Sequence, residues 1–234
     1  MQLIPNKKNL FIIGDYHQHE EQLITILERI SKTPSALILL GDYDIHTQDD
    51  MNEFKAFLNK FQIDYYLLRG NHDYPKFWQD KKSKNQIQTT NFHLLNEIDS
   101  ISWRDKKILT ISGAVSVDRT GVRTECGYCW PDTEGIPPDA ISRIPNEKFD
   151  ILLSHTGIIP EDSEKSEFVE SYSSIDTALL DDLKTERNLI QKIQIISGVK
   201  EHYFGHFHKY WEGEDFGITG RCLDICELVE IHSL

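Results

Sequence analysis

The chain has 234 residues, of which 25 are Lys or Arg and 38 are Asp or Glu, so its formal net charge at pH 7 is −13. This charge disfavours binding to nucleic acid or to an anionic membrane surface. The sequence contains no apolar run near the roughly 18 residues that a membrane helix needs, and we expect a soluble, cytoplasmic protein. Its length suits one α/β domain over residues 1–234 with a core of its own.

The first part of the chain alternates short apolar runs with amphipathic helix patterns. The runs Leu10–Ile13, Ala36–Leu40 and Ile63–Leu68 predict buried strands, and the apolar spacing predicts helices around Glu20–Ile30 and Met51–Phe61. A βαβαβ order of this kind predicts parallel strands. Ligands of open parallel sheets bind at the carboxyl ends of the strands.

The later elements are less regular. Short extended runs after residue 91 predict hairpins, a polar stretch over residues 160–167 predicts a mobile surface loop, and the tail from Lys209 predicts antiparallel strands that close a second sheet. The runs of the predicted hairpins are Phe92–Leu95, Ile98–Trp103 and Lys107–Ile111. Phe149–Leu153 predicts another buried strand, and Thr185–Ile196 predicts a helix that leads to the run His202–Phe204.

A short polar motif follows each of five predicted strands. The motifs are Gly14-Asp15-Tyr16-His17, Gly41-Asp42, Gly70-Asn71-His72-Asp73, Ser154-His155 and Gly205-His206-Phe207-His208. They supply carboxylate, imidazole and amide groups, which are the ligands of mixed oxygen and nitrogen metal sites for Mn²⁺, Fe or Zn²⁺. Hydrolysis of phosphate esters is a common use of two such ions held about 3.5–4 Å apart.

The series GDxH, GD, GNHD, SH and GHxH resembles the calcineurin-like metallophosphoesterase superfamily, from Gly14 to His208. The resemblance implies an α/β four-layer sandwich, with two packed mixed β-sheets flanked by helices. It also implies two divalent metal ions, Mn²⁺ first and Fe or Zn²⁺ as alternatives, and hydrolysis of a phosphate monoester or diester by a metal-bridging hydroxide. The substrate would be a small phosphate ester.

The same resemblance assigns roles to residues. Asp15, His17 and His208 would hold the first ion, Asn71, His155 and His206 the second, and Asp42 would bridge them. His72 would protonate the leaving group or bind the phosphoryl oxygen, and Asp73 would orient the His72 ring.

Two segments bear on the subgroup. The loop from Gly113 to Pro131 is similar to one in small bacterial and phage members, although Cys129 stands where a tryptophan is expected. After Asp42 the chain continues Tyr43-Asp44-Ile45, which differs from the valine-aspartate-arginine-glycine continuation of the protein Ser/Thr phosphatases. This difference argues against a phosphoprotein phosphatase of that branch.

Candidate substrate contacts are weaker. Arg119 is proposed because an arginine fork suits phosphate oxygens, and Tyr16 and His46 because they lie near motif residues; Arg123 is a lesser candidate. For each of them the alternative is an ordinary surface or structural side chain.

Three alternatives stay open from the sequence. A nuclease would share these motifs, although the acidic net charge counts against it. A catalytically silent scaffold of the same fold would usually lack ligands, which this chain has. The pairs Cys126/Cys129 and Cys222/Cys226 predict reduced thiols, with a joint structural zinc as the alternative.

Overall fold

The protein is described here by a computed structural model that covers residues 2–160 and 167–232. Most of the polar stretch predicted as a surface loop, residues 161–166, therefore lies outside the described residues. The strands within the described ranges are β1 (Gln2–Ile4), β2 (Asn9–Ile13), β3 (Ser35–Leu39), β4 (Ile63–Leu67), β5 (Phe92–Leu94), β6 (Ile98–Trp103), β7 (Lys106–Ile111), β8 (Ile151–Ser154), β9 (Glu201–Phe204), β10 (Trp211–Asp215), β11 (Ile218–Cys222) and β12 (Leu228–Ile231). The helices are α1 (Glu20–Ile30), α2 (Gln48–Leu58), α3 (Lys76–Gln79), α4 (Lys81–Ile87), α5 (Val122–Glu125), α6 (Ala140–Arg143), α7 (Glu167–Ser173) and α8 (Leu179–Ser197).

The strands form two mixed sheets. In one sheet the order is β12-β2-β3-β4-β5, and β2 to β5 run parallel while β12 is antiparallel to β2. In the other sheet the order is β1-β6-β7-β8-β9-β11-β10, in which β7, β8, β9 and β11 run parallel. The predicted βαβαβ start is confirmed.

The two sheets pack against each other through side chains that alternate along the strands. In β2, Leu10 and Ile12 point into the core between the sheets, where they meet side chains of the second sheet such as Ile108 and Leu153. Phe11 and Ile13 of β2 pack with α1 and α2, and α8 covers the far face of the second sheet through Ile193. Both faces of these strands are buried, which explains their continuous apolar runs. The resulting layers are helix, sheet, sheet and helix, as the resemblance implied.

Two expectations about strand partners are wrong. β6 and β7 form the predicted hairpin, but β5 lies parallel to β4 in the other sheet. In the tail, β10 and β11 are antiparallel in the second sheet as predicted, whereas β12 joins the first sheet beside β2. Short apolar runs predict strands but carry no information on which sheet accepts them.

Local capping explains where α2 begins. The Thr47 hydroxyl accepts a hydrogen bond from the Asp50 backbone N–H at 3.2 Å, and the Asp50 carboxylate accepts one from the Thr47 N–H at 2.8 Å. This capping box starts the helix at Gln48, three residues before the predicted Met51. Among the described residues, none of the helices combines the length and apolar character needed to cross a bilayer.

Candidate active site

The five motifs meet at the carboxyl ends of strands from both sheets. The loops after β2, β3 and β4 come from the first sheet, and the loops after β8 and β9 come from the second. His155, directly after β8, donates from Nδ1 to the Leu40 carbonyl after β3 at 2.9 Å. This hydrogen bond crosses from one sheet to the other and leaves Nε2 of His155 facing the site.

The backbone of the site is bent in an unusual way. Positive φ angles occur at His17 (40°), Asp42 (55°), Asp44 (55°), His206 (71°) and His208 (49°). Side-chain-bearing residues seldom adopt this left-handed conformation, and such residues cluster at functional sites, where the surrounding structure holds them.

Two glycines allow the motifs to approach each other. A Cβ at Gly41, where φ is 126°, would lie 2.7 Å from both the Gly70 backbone nitrogen and Nδ1 of His155. A Cβ at Gly205 would lie 2.2 Å from Oδ1 of Asp15. Both positions exclude a side chain, so the glycines of these motifs have a packing role beside the ligand residues.

One group of donors joins the first and last motifs. Donor atoms of Asp15, His17, Asp42 and His208 all lie within 4.8 Å of one another. Nε2 of His17 is 2.8 Å from Nε2 of His208 and 3.4 Å from Oδ2 of Asp42. These four residues are the predicted ligands of the first ion together with the bridging carboxylate.

A second group lies beside the first and shares Asp42. Donor atoms of Asp42, His155 and His206 lie within 4.8 Å of one another. Oδ1 of Asn71 is 2.8 Å from Nε2 of His155 and 3.0 Å from Nδ1 of His206. The Asn71 amide donates from Nδ2 to Oγ of Ser116 at 2.9 Å, which turns its carbonyl oxygen toward the two imidazoles.

The donor set fits two divalent cations. Asp15 is fully buried, and its Oδ1 has no hydrogen-bond partner although buried polar atoms nearly always have one. Burial raises the pKa of Asp15 to about 7, so ionisation of this carboxyl needs compensating positive charge. The mixture of imidazole, carboxylate and amide oxygen suits Mn²⁺, Fe or Zn²⁺.

Comparison with known proteins agrees with this geometry. The sequence profile of calcineurin-like phosphoesterases matches residues 8–210. The chain belongs to this family. No curated protein matches the sequence significantly.

Solved structures of similar fold include two bacterial proteins. A phosphopantetheinyl hydrolase from Mycobacterium tuberculosis superposes with a TM-score of 0.59 at 11% identity, over 97% of both chains. The protein TT1561 of Thermus thermophilus superposes with a TM-score of 0.51 at 11% identity, over 92% of this chain and 89% of that one. At this identity the likeness concerns the fold of the phosphoesterase and not its substrate.

In this phosphoesterase a further carboxylate, Asp44, lies behind two of the histidines. Its Oδ2 is 3.2 Å from Nδ1 of His17, and its Oδ1 is 3.2 Å from Nδ1 of His72. Burial opposes ionisation of Asp44, but the hydrogen bonds from both imidazoles outweigh it and lower its pKa to about 2. Sequence reasoning did not single out Asp44 as a site residue; the available signal was its position two residues after Asp42.

Asp73 has a different role from the expected one. Its carboxylate accepts hydrogen bonds from the backbone N–H groups of Gly70 at 2.9 Å, Asp42 at 3.0 Å and Tyr43 at 2.8 Å. The carboxylate beside the His72 ring is therefore that of Asp44. Asp73 instead ties the loop after β3 to the loop after β4, because a buried carboxylate can satisfy several backbone donors at once.

Of the predicted substrate contacts, Arg119 lies apart from the metal-ligand groups, whereas His46 lies against His72, to whose backbone oxygen its Nε2 donates at 3.2 Å. Nε of Arg119 lies 2.6 Å from Asp176 and its Nη2 lies 2.7 Å from Asp182, and it lines a separate cavity. A contact between Arg119 and substrate would require both ion pairs to break, so we leave it out of the proposed site. Tyr16 and His46 line a neighbouring cavity of about 510 Å³.

Arg123 lies nearer to the predicted ligands than Arg119 does. Its Nη2 donates to the backbone oxygen of Asn71 at 3.3 Å, and it pairs with Asp118. The cysteines are free thiols, and within the described part of the chain none belongs to a metal-ligand group. Cys129 donates to Oε2 of Glu134 at 3.3 Å.

Proposed function

We propose that the protein is a metal-dependent phosphoesterase that hydrolyses a phosphate monoester or diester at a two-metal site. The observation that carries this proposal is the position of Asp42 between the two histidine groups. Its Oδ2 lies 3.4 Å from Nε2 of His17, and its Oδ1 lies 3.3 Å from Nε2 of His155. A carboxylate with one oxygen toward each group is suited to be shared by two ions.

The proposed metal ligands form two sets. Asp15, His17 and His208 would hold one ion, and Asn71, His155 and His206 the other, with Asp42 shared. When bound, two divalent ions supply Lewis-acid polarisation of the phosphoryl group and a nucleophile at neutral pH.

The chain's own residues would then orient the substrate and move a proton. His72 lines the cavity beside the ligands. Its Nδ1 is paired with the Asp44 carboxylate, so Nε2 is the ring nitrogen that remains available to the substrate. Burial disfavours the imidazolium, but the hydrogen bond to Asp44 and the charge of Asp42 raise the pKa of His72. A protonated His72 can give its proton to the leaving oxygen or bind a phosphoryl oxygen.

The test is hydrolysis of p-nitrophenyl phosphate and of bis-p-nitrophenyl phosphate by chelator-treated protein reloaded with Mn²⁺. Metal-dependent release of p-nitrophenol is expected, and the preferred ester separates a monoesterase from a diesterase. Asp42→Asn should lose both metal loading and turnover. Asp49→Asn, at an exposed position in α2, is the matched control and should retain both.

Two results would contradict the proposal. One is turnover that survives Asp42→Asn, and the other is the absence of release with either ester from protein that holds two ions. The net charge of −13 leads us to place nucleic acid below small phosphate esters as a substrate. Selective hydrolysis of single-stranded or duplex DNA would reverse that order.

A further inference from the structure

A cavity of about 420 Å³ adjoins the predicted metal ligands. Its wall on the metal side includes Asn71, His72 and His206. Cavities of a few hundred Å³ are of the size that holds small molecules. Because His72 borders this cavity, an ester whose phosphoryl group lies at the ligands and whose leaving oxygen lies at His72 would place its organic part here.

The remainder of the cavity wall is largely apolar. Its apolar residues in the described part of the chain are Val117 after β7, Gly157 after β8, Val169 of α7, Leu183 of α8 and Phe207, and Thr156 lies among them. These residues come from separate segments of the chain, so the apolar wall is formed by the tertiary fold and not by one continuous stretch of sequence. Apolar surface of this kind stabilises a bound organic group by removing it from water, about fourfold in affinity for each CH₂ buried.

The charged side chains of the wall do not favour a second anionic group on the substrate. Glu186 accepts hydrogen bonds from the Val115 N–H at 2.7 Å and from the Thr156 hydroxyl at 3.3 Å, and Asp118 pairs with Arg123. Away from the predicted metal ligands, these two carboxyl groups and the Arg187 guanidinium are the charged groups that the described residues contribute to the wall. Arg187 is therefore the one cationic side chain that the described wall offers to a further phosphate or carboxylate, and the Glu186 and Asp118 carboxyl groups lie in the same wall.

We propose that the substrate is a phosphate ester of an uncharged, largely apolar alcohol or phenol, whose organic part occupies this cavity. The proposal rests on the phosphoesterase activity proposed above. It distinguishes such esters from those of polyols and from nucleotides, whose leaving groups carry hydroxyl groups or additional charge.

The experiment compares kcat/KM of the Mn²⁺-loaded protein for n-hexyl phosphate and glycerol 3-phosphate, or for their methyl diesters if the bis-p-nitrophenyl ester is preferred. We expect n-hexyl phosphate to be preferred by at least about tenfold, since a few buried CH₂ groups suffice for that ratio. The hydroxyl groups of glycerol make it the better leaving group, so a preference for the hexyl ester has to come from binding.

Leu183 offers a direct test of the apolar wall. Leu183→Asn should lower the hexyl-to-glycerol ratio of kcat/KM by about tenfold or more, because a polar side chain in an apolar subsite weakens binding of the hexyl group by that factor. Leu183→Met should keep the ratio, because methionine is apolar and of similar size. Leu180→Asn is the matched control: Leu180 is on the same helix, is 42% exposed and lies outside the cavity wall. It should leave the ratio unchanged.

The outcomes separate this proposal from the function on which it rests. If no ester, p-nitrophenyl phosphate included, is hydrolysed with metal, the phosphoesterase assignment fails and this proposal with it. If esters are hydrolysed but glycerol 3-phosphate is cleaved as well as the hexyl ester, the assignment stands and the apolar substrate is ruled out. An unchanged ratio in Leu183→Asn would also overturn the role of this wall.

Discussion

Asp44 connects a predicted metal ligand with the histidine expected to act on the leaving group. One carboxylate oxygen lies 3.2 Å from Nδ1 of His17 and the other lies 3.2 Å from Nδ1 of His72. Carboxylates behind a ligating histidine fix its ring orientation and tautomer and increase its basicity. At the proposed site, a single side chain would therefore influence both metal binding and proton transfer.

Asp44→Asn should therefore weaken both properties. An amide has one acceptor oxygen, so it can accept a hydrogen bond from only one of the two rings. We expect metal affinity and kcat each to fall about 10–100-fold, the usual effect of removing such a partner. Metal titration of the stripped protein, followed by turnover at saturating Mn²⁺, measures the two losses separately.

His72→Asn provides the comparison for Asp44→Asn. It should retain both ions and lower kcat by about 10²–10⁴-fold, since it removes the proton donor and no predicted ligand. If Asp44→Asn lowered kcat but kept full metal affinity, as His72→Asn should, the contact between Asp44 and His17 would contribute nothing to metal binding.

Individual residues differ in how far the sequence predicts them. The motifs that contain the predicted ligands could be placed because they follow apolar runs and strand ends share an edge, whereas the family resemblance assigned the role of each ligand. Asp44 could not be assigned because its two partners are separated from it by 27 residues and 28 residues along the chain. The family resemblance paired Asp73 with its neighbour His72, whereas its carboxylate accepts hydrogen bonds from backbone N–H groups.

At the level of elements, one long loop supports the motif after β4. Arg69, fully buried, donates to the backbone oxygens of Gly70 at 3.1 Å and of Gly135 at 3.2 Å. The Glu134 carboxylate accepts from the Ser116 N–H at 3.2 Å, and the Ser116 hydroxyl accepts from the Asn71 amide at 2.9 Å. The loop between β7 and β8 thereby orients the Asn71 side chain.

Ser116→Ala should remove the hydrogen bond that orients the Asn71 side chain. Without the hydroxyl, the Asn71 amide is free to rotate and to turn its NH₂ group toward the two imidazoles. We expect about tenfold weaker binding of one of two Mn²⁺ ions and a loss of about 1 kcal/mol in the free energy of unfolding. Calorimetric titration of stripped protein measures the first quantity, and urea unfolding the second.

An exposed serine serves as the control. Ser142→Ala removes a hydroxyl that bonds to the Asp139 carbonyl on the surface and should leave both Mn²⁺ affinities intact. Equal affinities in the wild type and in Ser116→Ala would show that Asn71 is held by the imidazoles alone.

The elements themselves were predictable to different degrees. α1 follows from apolar periodicity, and the strands of the first parallel unit follow from continuous apolar runs, which arise where both faces of a strand are buried. The start of α2 depended on the Thr47 capping box, and the placement of β5 and β12 depended on long-range pairing. The apolar pattern of a segment indicates which of its residues are buried, but it does not indicate which strand it pairs with.

At the level of the whole molecule, the predicted ligands join two sheets. Asp15, Asp42 and Asn71 follow strands of the first sheet, and His155 and His206 follow strands of the second. Ions held by both sets would stabilise the packing of the sheets, because a ligand that binds only the folded state shifts the folding equilibrium.

Mn²⁺ should therefore raise the melting temperature of stripped protein. At a free concentration about 100 times Kd the gain is about 2.7 kcal/mol for one site, or roughly 5–10 °C for a chain of this size. Differential scanning fluorimetry with and without Mn²⁺ measures the shift. Asp42→Asn should abolish it, and a shift that persists in this variant would place the stabilising ion elsewhere.

The second sheet contains a histidine whose protonation should control stability at acidic pH. His202 is 1% exposed; its Nε2 lies 2.6 Å from the Ser154 hydroxyl, and its Nδ1 lies 2.9 Å from Nε2 of Gln194. Burial lowers the pKa of His202 from 6.5 to about 3. The ring stays neutral in the folded protein at a pH where the unfolded chain binds a proton.

The free energy of unfolding should therefore fall as the pH falls below 6.5, and the loss should continue toward pH 3. Between pH 7.5 and 5.5 this one group should cost about 1.4 kcal/mol. Urea unfolding of chelator-treated protein at the two pH values measures the total, and His202→Gln removes this titration while keeping a hydrogen-bonding side chain. Other histidines titrate in both proteins, so the difference between wild type and variant isolates His202. Equal pH dependence in the two proteins would mean that the ring can be protonated without unfolding, which its burial between β8, β9 and α8 argues against.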